Sequence, residues 1–280
     1  MKSNNGREKV FFLPDGGPAV PGLAAVSGQG VEMLAECEIA GPLRQVRGLM
    51  YRVTEVVDPT SQIRIVRLGP PSGGTFRFAA GQYAMLSFGE HRARPFSLAG
   101  RPEDRILEFH MRHGGGDHAA TRLRPGDGVG VEGPFGEAYL REQHAGPILG
   151  IAGGTGLAPL LSIVATALAR DADRDIRLYV GARDEGDLYV APRLHALAER
   201  HRRFRWIPVL SATGALTGLR TGMVTEALAE DLASGAIGRI AGSKAYFAGP
   251  RPMVATAAAL LRGAGIKEGD IHADGLASVQ

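Results

Sequence analysis

Seven residues, Gly153-Gly154-Thr155-Gly156-Leu157-Ala158-Pro159, stand between a continuous apolar run and an amphipathic segment. Glycine lets the backbone approach a pyrophosphate, and the following helix offers unpaired N–H groups and the positive end of its dipole. The carboxyl end of a buried strand is also where open α/β sheets bind ligands. The motif is neither G-x-G-x-x-G nor the lysine-containing phosphate loop, so a plain turn without a ligand stays open on spacing alone. A second group, Arg94-Pro95-Phe96-Ser97, puts a fixed cation, a flat ring and a hydroxyl within four residues. On a strand, Arg94 and Phe96 share a face and Ser97 takes the other. One reading sets the ring on a planar cofactor and the arginine on its phosphate; the other is a core phenylalanine beside a surface arginine. Of eight histidines, His110, His113 and His118 fall close together. No carboxylate or cysteine stands at ligand spacing from them, so no metal site is expected.

The elements that must carry these groups change character along the chain. Residues 1–46 are polar and rich in glycine and proline, with one short apolar run, Lys9 to Leu13, before Pro14-Asp15-Gly16. They read as a loosely structured arm, with room for one hairpin. Residues 47–144 alternate with a period of two, as in Met50 to Val56, Ile63 to Leu68, Tyr83 to Phe88 and Ile106 to Met111. Six or so short strands separated by glycine and proline turns suggest a small antiparallel barrel. Residues 145–280 alternate strands and helices instead. Pro147 to Ala152 reads as a buried parallel strand, and helices are predicted near 157–169, 190–200, 222–232 and 252–263. That order predicts a doubly wound parallel sheet.

Composition removes other classes. The single cysteine, Cys37, can form no internal disulfide and cannot supply a four-cysteine iron–sulfur cluster. A net charge of +3 leaves no strong basic field, and His201-Arg202-Arg203 is too short a stripe for nucleic acid. No apolar stretch reaches the roughly 20 residues of a membrane span. The N-terminus has no apolar signal core, which points to the cytoplasm. Forty of 280 residues are glycine, about twice the usual share of roughly 7%, and they are not periodic.

In order, R-P-F-S-L, G-P-F-G at 133–136, G-G-T-G-L-A-P and Y-F-A-G-P at 246–250 resemble the ferredoxin–NADP reductase superfamily. The resemblance spans residues 48 to 275. The stretches ARPFSLAG, AYLREQHAGP and GGTGLAPLLSIV are most like reductase components of aromatic-ring dioxygenases of the naphthalene type. It implies FAD on the barrel and NADH or NADPH on the α/β domain. Arg94 would bind FAD phosphate, Pro95 would stand beside it, Phe96 would stack on the isoalloxazine and Ser97 would bond near flavin N5. Met111 and Arg112 match the strand that follows, and Gly115 and Gly116 would open the pyrophosphate loop. Thr155 would sit between flavin and nicotinamide, with Gly153, Gly154 and Gly156 beneath the dinucleotide. Gly181, Arg183 and Asp187 would lie near the adenosine ribose, and Gly249 and Pro250 beside the nicotinamide. Ser97 and Thr155 are the residues closest to the implied chemistry.

Departures from the family pattern bear on function. Phe96 replaces a tyrosine, and Ala248 replaces a cysteine beside the nicotinamide. The pyrophosphate loop is about three residues short, so its hydroxyl position is Ala119 or, shifted, Thr121. The C-terminal D-A-F reads Asp274-Gly275-Leu276, without a covering aromatic. The arm faintly resembles the two ends of a ferredoxin domain without its cluster-binding middle; a remnant and an unrelated tail both remain open. Arg183 and Asp184 give opposite signals on the ribose 2′ position, and the dioxygenase likeness favours NADH. The expected function is electron transfer from NAD(P)H through FAD to an external carrier such as a ferredoxin. A freestanding flavin, ferric or quinone reductase, or a degenerate binding subunit, are the alternatives.

Overall fold

The structure, a computed structural model, describes residues 48–71, 74–89, 92–112, 122–212, 218–238 and 240–274. Residues 1–47, with Cys37 and the predicted arm and hairpin, lie outside these, as do Gly115, Gly116, Ala119, Thr121 and Leu276.

Six strands form the first sheet: β1 Leu49–Val57, β2 Ile63–Gly69, β3 Tyr83–Ser87, β4 Arg94–Ser97, β5 Leu107–Arg112 and β6 Gly128–Phe135. All pairings are antiparallel, in the order β4-β3-β6-β1-β2-β5. The period-two pattern is why. On β1, Tyr51 and Val53 are buried while Arg52 and Thr54 are exposed. An isolated bridge from Leu98 to Phe109 links the end of β4 to β5 and closes the barrel. Val66, Leu68, Leu86, Phe109, Met111 and Val131 fill its core, each worth about 1.5–3 kcal/mol in burial.

The second sheet is wholly parallel: β7 Ile148–Gly153, β8 Ile176–Ala182, β9 Phe204–Leu210, β10 Arg220–Thr221, β11 Lys244–Ala248 and β12 Ile271–Ala273. Its order is β10-β9-β8-β7-β11-β12. Helices α1 Leu157–Arg170 and α2 Ala191–Arg200 share one core with it, through Leu160, Leu161 and Leu194. Helices α3 Val224–Ala233 and α4 Arg251–Gly263 share the other, through Val224, Leu228, Val254 and Leu261. Cover on both faces explains the unbroken apolar run of β7. The chain lays β8 to β10 on one side of β7, then returns to place β11 and β12 on the other. A crevice opens where the direction reverses, between the carboxyl ends of β7 and β11. The barrel and doubly wound sheet expected from the alternation are what the chain forms. Strands β10 and β12 are additions, two and three residues long and too short to show a period.

Hydrogen bonds tie the halves together. Ser162 Oγ on α1 donates to the Gly100 carbonyl at 2.6 Å in a buried position. The Arg141 N–H donates to the Tyr246 hydroxyl of β11 at 3.0 Å. Asp274, just past β12, accepts from the Glu137 and Ala138 N–H groups at 2.9 and 3.1 Å. Among the described residues, no helix is long and apolar enough to cross a membrane.

Candidate functional site

A cleft of about 1000 Å3 lies between the two halves, with the glycine turn at its floor. Strand β7 ends at Gly153, a 3-10 turn covers Gly154–Gly156, and α1 begins at Leu157. No side chain caps α1, and its first turn holds no acidic residue. The positive end of its dipole therefore faces the cleft without a counter-charge. A Cβ on Gly156 would come within 2.1 Å of the Ala248 carbonyl oxygen, so turn and strand pack backbone to backbone. Gly249 has φ +153, and a Cβ there would lie 3.1 Å from the Gly153 nitrogen. Gly153, Gly154, Thr155, Gly156, Ala248, Gly249 and Pro250 all border the cleft.

Pro95, Phe96 and Ser97 of β4 form part of the barrel wall. The half-buried Phe96 ring packs near Phe88, with centroids 6.3 Å apart and planes at 41°. Arg94, exposed at the start of β4, does not border the cleft. Alternation along β5 separates the next pair: Met111 is fully buried in the barrel core, whereas Arg112 faces the cleft. Arg112 Nη1 donates to Gln62 Oε1 at 2.8 Å. A Cβ on Gly154, whose φ is +57, would sit 2.9 Å from Arg112 Nη2.

At the other end, Gly181, Arg183, Asp187, Ser211 and Met223 line the cleft. The Asp184 carboxylate instead accepts from the Asp187 N–H at 3.3 Å and caps a 3-10 turn. Arg183 and Asp187 border the cleft, and Asp184 does not. Asp274 borders the cleft too, but one of its oxygens is engaged by the Glu137 and Ala138 N–H groups.

Sequence reasoning weighed His110 only as a metal ligand and passed over Tyr189; both line the cleft, one from β5 and the other from the segment before α2. The Tyr189 hydroxyl lies 2.9 Å from His110 Nδ1, and His110 Nε2 lies 3.2 Å from Glu108 Oε1. Arg193 and Arg67 each donate to Glu108 at 2.8 Å. Burial would raise the Glu108 carboxyl, but the His110 hydrogen bond and the two arginines overcome it and hold it at about 2. Burial lowers the His110 pKa against the pull of Glu108, and burial with the Glu108 charge raises that of Tyr189. The available signal was the period of β5: Glu108, His110 and Arg112 share the face opposite Leu107, Phe109 and Met111.

A family model for the oxidoreductase NAD-binding domain matches residues 151–259. The ferredoxin–NAD(P)+ reductase component of the naphthalene 1,2-dioxygenase system of Pseudomonas putida is 40% identical over 243 residues, covering 84% of this chain and 70% of that protein. The chain belongs to the ferredoxin–NADP reductase superfamily. Among solved structures, the Amycolatopsis cytochrome P450 reductase GcoB superposes on this superfamily member with a TM-score of 0.74 at 37% identity. That match covers 83% of this chain and 70% of GcoB. A Neisseria gonorrhoeae ferredoxin NADP+ reductase with bound FAD and NADP shares the fold, with a TM-score of 0.71 at 20% identity, over 82% of this chain and 99% of that one.

The residues present in this reductase-family cleft fit a flavin and a nicotinamide dinucleotide. The glycine cradle leaves backbone open where a side chain would close it, and the uncapped α1 terminus suits a phosphate. An aromatic ring and a hydroxyl stand on the opposing wall.

Proposed function

We propose that the cleft holds FAD against the barrel and NAD(P)H against the parallel sheet. The chain would then act as a flavoprotein reductase that passes electrons to an external one-electron carrier, such as the ferredoxin of an oxygenase system. One observation carries this reading: the β4 motif and the glycine turn, 56 residues apart in the chain, face each other across a single cleft. The Pseudomonas putida relative, a ferredoxin–NAD(P)+ reductase component of a dioxygenase system, supports the acceptor class. We place the division between the FAD-binding and NAD(P)-binding halves at residues 144 and 145, in the connector between β6 and β7.

Bound flavin would accept a hydride and release its two electrons singly. The rest is binding and orientation by this chain. Phe96 offers a flat face, Ser97 a hydroxyl at the ring edge, and Arg112 a cation that reaches across the cleft. Thr155 and the N–H groups of the turn hold the dinucleotide close to the backbone, with the α1 dipole towards its phosphates. Arg183 and Asp187 stand at the ribose end, and Gly249 and Pro250 at the nicotinamide end. Arg94, Gly115, Gly116 and Thr121 belong to the proposed FAD phosphate site, and Asp274 to its rim. NADH is preferred over NADPH in this proposal, on the dioxygenase-reductase likeness. Such an enzyme suits the cytoplasm, where NADH and NADPH are regenerated.

The test is an absorption spectrum of the purified chain, then anaerobic addition of NADH or NADPH. Flavin bands that bleach, faster with NADH, are the expected result. A chain that carries no flavin, takes up none when FAD is added and oxidises neither nucleotide with any acceptor refutes the proposal. Higher turnover with ferric chelates or free flavin than with ferredoxin would reassign the acceptor.

A further inference from the structure

The outward face of β5 is a polar stripe, and each of its three side chains meets a different part of the parallel half. Glu108 accepts from Arg193 on α2 at 2.8 Å. His110 meets the Tyr189 hydroxyl at 2.9 Å, and Arg112 lies against Gly154. The His110 side chain has 0% exposed surface, so its ring can bond only to these neighbours.

The proton positions follow from the partners. Glu108 accepts from both Arg193 and Arg67, so it is a carboxylate and has no proton to give. His110 Nε2 must then carry the proton shared with Glu108. The buried imidazole sits among the Arg67 and Arg193 guanidiniums as well as Glu108, and burial keeps it neutral. Its Nδ1 is therefore a lone pair, and Tyr189 donates to it. Donation runs one way, from the cleft wall inward: Tyr189 to His110 to Glu108. Protonation of Nδ1 would reverse the first bond.

We propose that Tyr189 and His110 are positioning residues, whose directed hydrogen-bond chain to Glu108 fixes the spacing between the barrel wall and the parallel half that carries the dinucleotide turn. The proposal rests on the function given above only in what is spaced, a flavin and a nicotinamide. Hydride transfer depends on that spacing steeply, since a misplacement of about 1 Å can cost on the order of 100-fold in rate.

The experiment uses the full chain and begins without cofactor. Nitrogen-15 spectra of the histidine rings should show His110 as the neutral Nε2–H tautomer at pH 7. Tyr189→Phe should move the Nδ1 signal to that of an unbonded imine nitrogen. In flavin-loaded chain, Tyr189→Phe should slow anaerobic reduction by NADH about tenfold, with half-saturation changed less than about twofold. Arg193→Met removes the outer anchor and serves as the second variant should Tyr189→Phe not fold; it should shift the same signal and slow reduction. An Nδ1–H tautomer overturns the proposal. So does a Tyr189→Phe chain, or failing that an Arg193→Met chain, that is less stable yet reduced at the parent rate, because that marks a purely structural clamp. A chain that binds no FAD overturns the proposed function instead, and the ring spectra still decide the hydrogen-bond chain.

Discussion

Replacing Gly156 with alanine tests whether the glycine turn is held by contact with β11 or merely permits a ligand. Gly156 has φ −60 and ψ −12, a conformation alanine adopts freely, so backbone strain contributes nothing. The whole effect is steric. The added Cβ would lie 2.1 Å from the Ala248 carbonyl oxygen, 2.3 Å from its carbon and 2.7 Å from the Gly249 nitrogen. None of these is a flexible side-chain end. Ala248 is also fixed by pairing with Ala152 on β7. The turn must move by about 1 Å to restore ordinary contact. Overpacking of this kind costs about 1–3 kcal/mol, and two opposed backbones place it at the upper end. The Tm should fall by roughly 5–10 °C, at about 2–4 °C per kcal/mol for a chain of this class. Gly263, at the end of α4, has no atom within 4 Å of its would-be Cβ and is the control. Gly263→Ala should be neutral or stabilising by up to about 1 kcal/mol. Differential scanning calorimetry on both variants reads the effect. A Gly156→Ala chain that melts with the parent would refute the backbone contact and the cleft floor built on it.

Asp274→Ala strips the acceptor from two backbone N–H groups and should cost about 1–2 kcal/mol in urea unfolding, discounted for exposure; Asp274→Asn, which keeps one oxygen, should recover most of it. Acid should weaken the fold before it protonates ordinary carboxylates. Burial, with the Arg141 and Lys244 charges, lowers the His272 pKa to about 4 from 6.5. The unfolded chain then binds a proton that the folded chain refuses, so this contribution is complete above pH 6.5 and is lost as pH falls towards 4. Its ceiling is about 3 kcal/mol. Glu108 adds a loss of the same sign between its ordinary range and about 2. Urea midpoints that stay level or rise from pH 7 to pH 5 would contradict the His272 assignment, and midpoints level from pH 4 to pH 2 the Glu108 one. Ser162→Ala should lower stability by about 1–2 kcal/mol, because the Gly100 carbonyl loses its buried donor; an unchanged midpoint would show that water replaces it.

The strands and helices were legible because burial follows chemistry along the chain. The two-residue period of β1 and β2 marks one wet face and one dry face, and the solid apolar run of β7 marks cover on both sides. The glycine turn was legible as backbone that must stay bare. Partner choice was less so. Alternation puts Glu108, His110 and Arg112 on the outer face of β5, but does not say that this face is itself buried at Glu108 and His110, against Arg193 of α2 and Tyr189. Adjacent Arg183 and Asp184 read as rivals, and spacing did not say that Asp184 caps a 3-10 turn. Met111 carried a motif expectation that depends on side-chain direction, and β5 turns it into the barrel core. Strands β10 and β12 hold too few residues for a period and exist through their neighbours' hydrogen bonds.

The hold of Asp274 on the Glu137 and Ala138 N–H groups also has a meaning in time. The barrel strands end at Phe135, so the barrel leaves the ribosome well before the carboxylate that buckles it to the parallel sheet. At synthesis rates of about 5–20 residues per second, the interval is on the order of ten seconds. During it, the barrel wall of the cleft stands without its fastening.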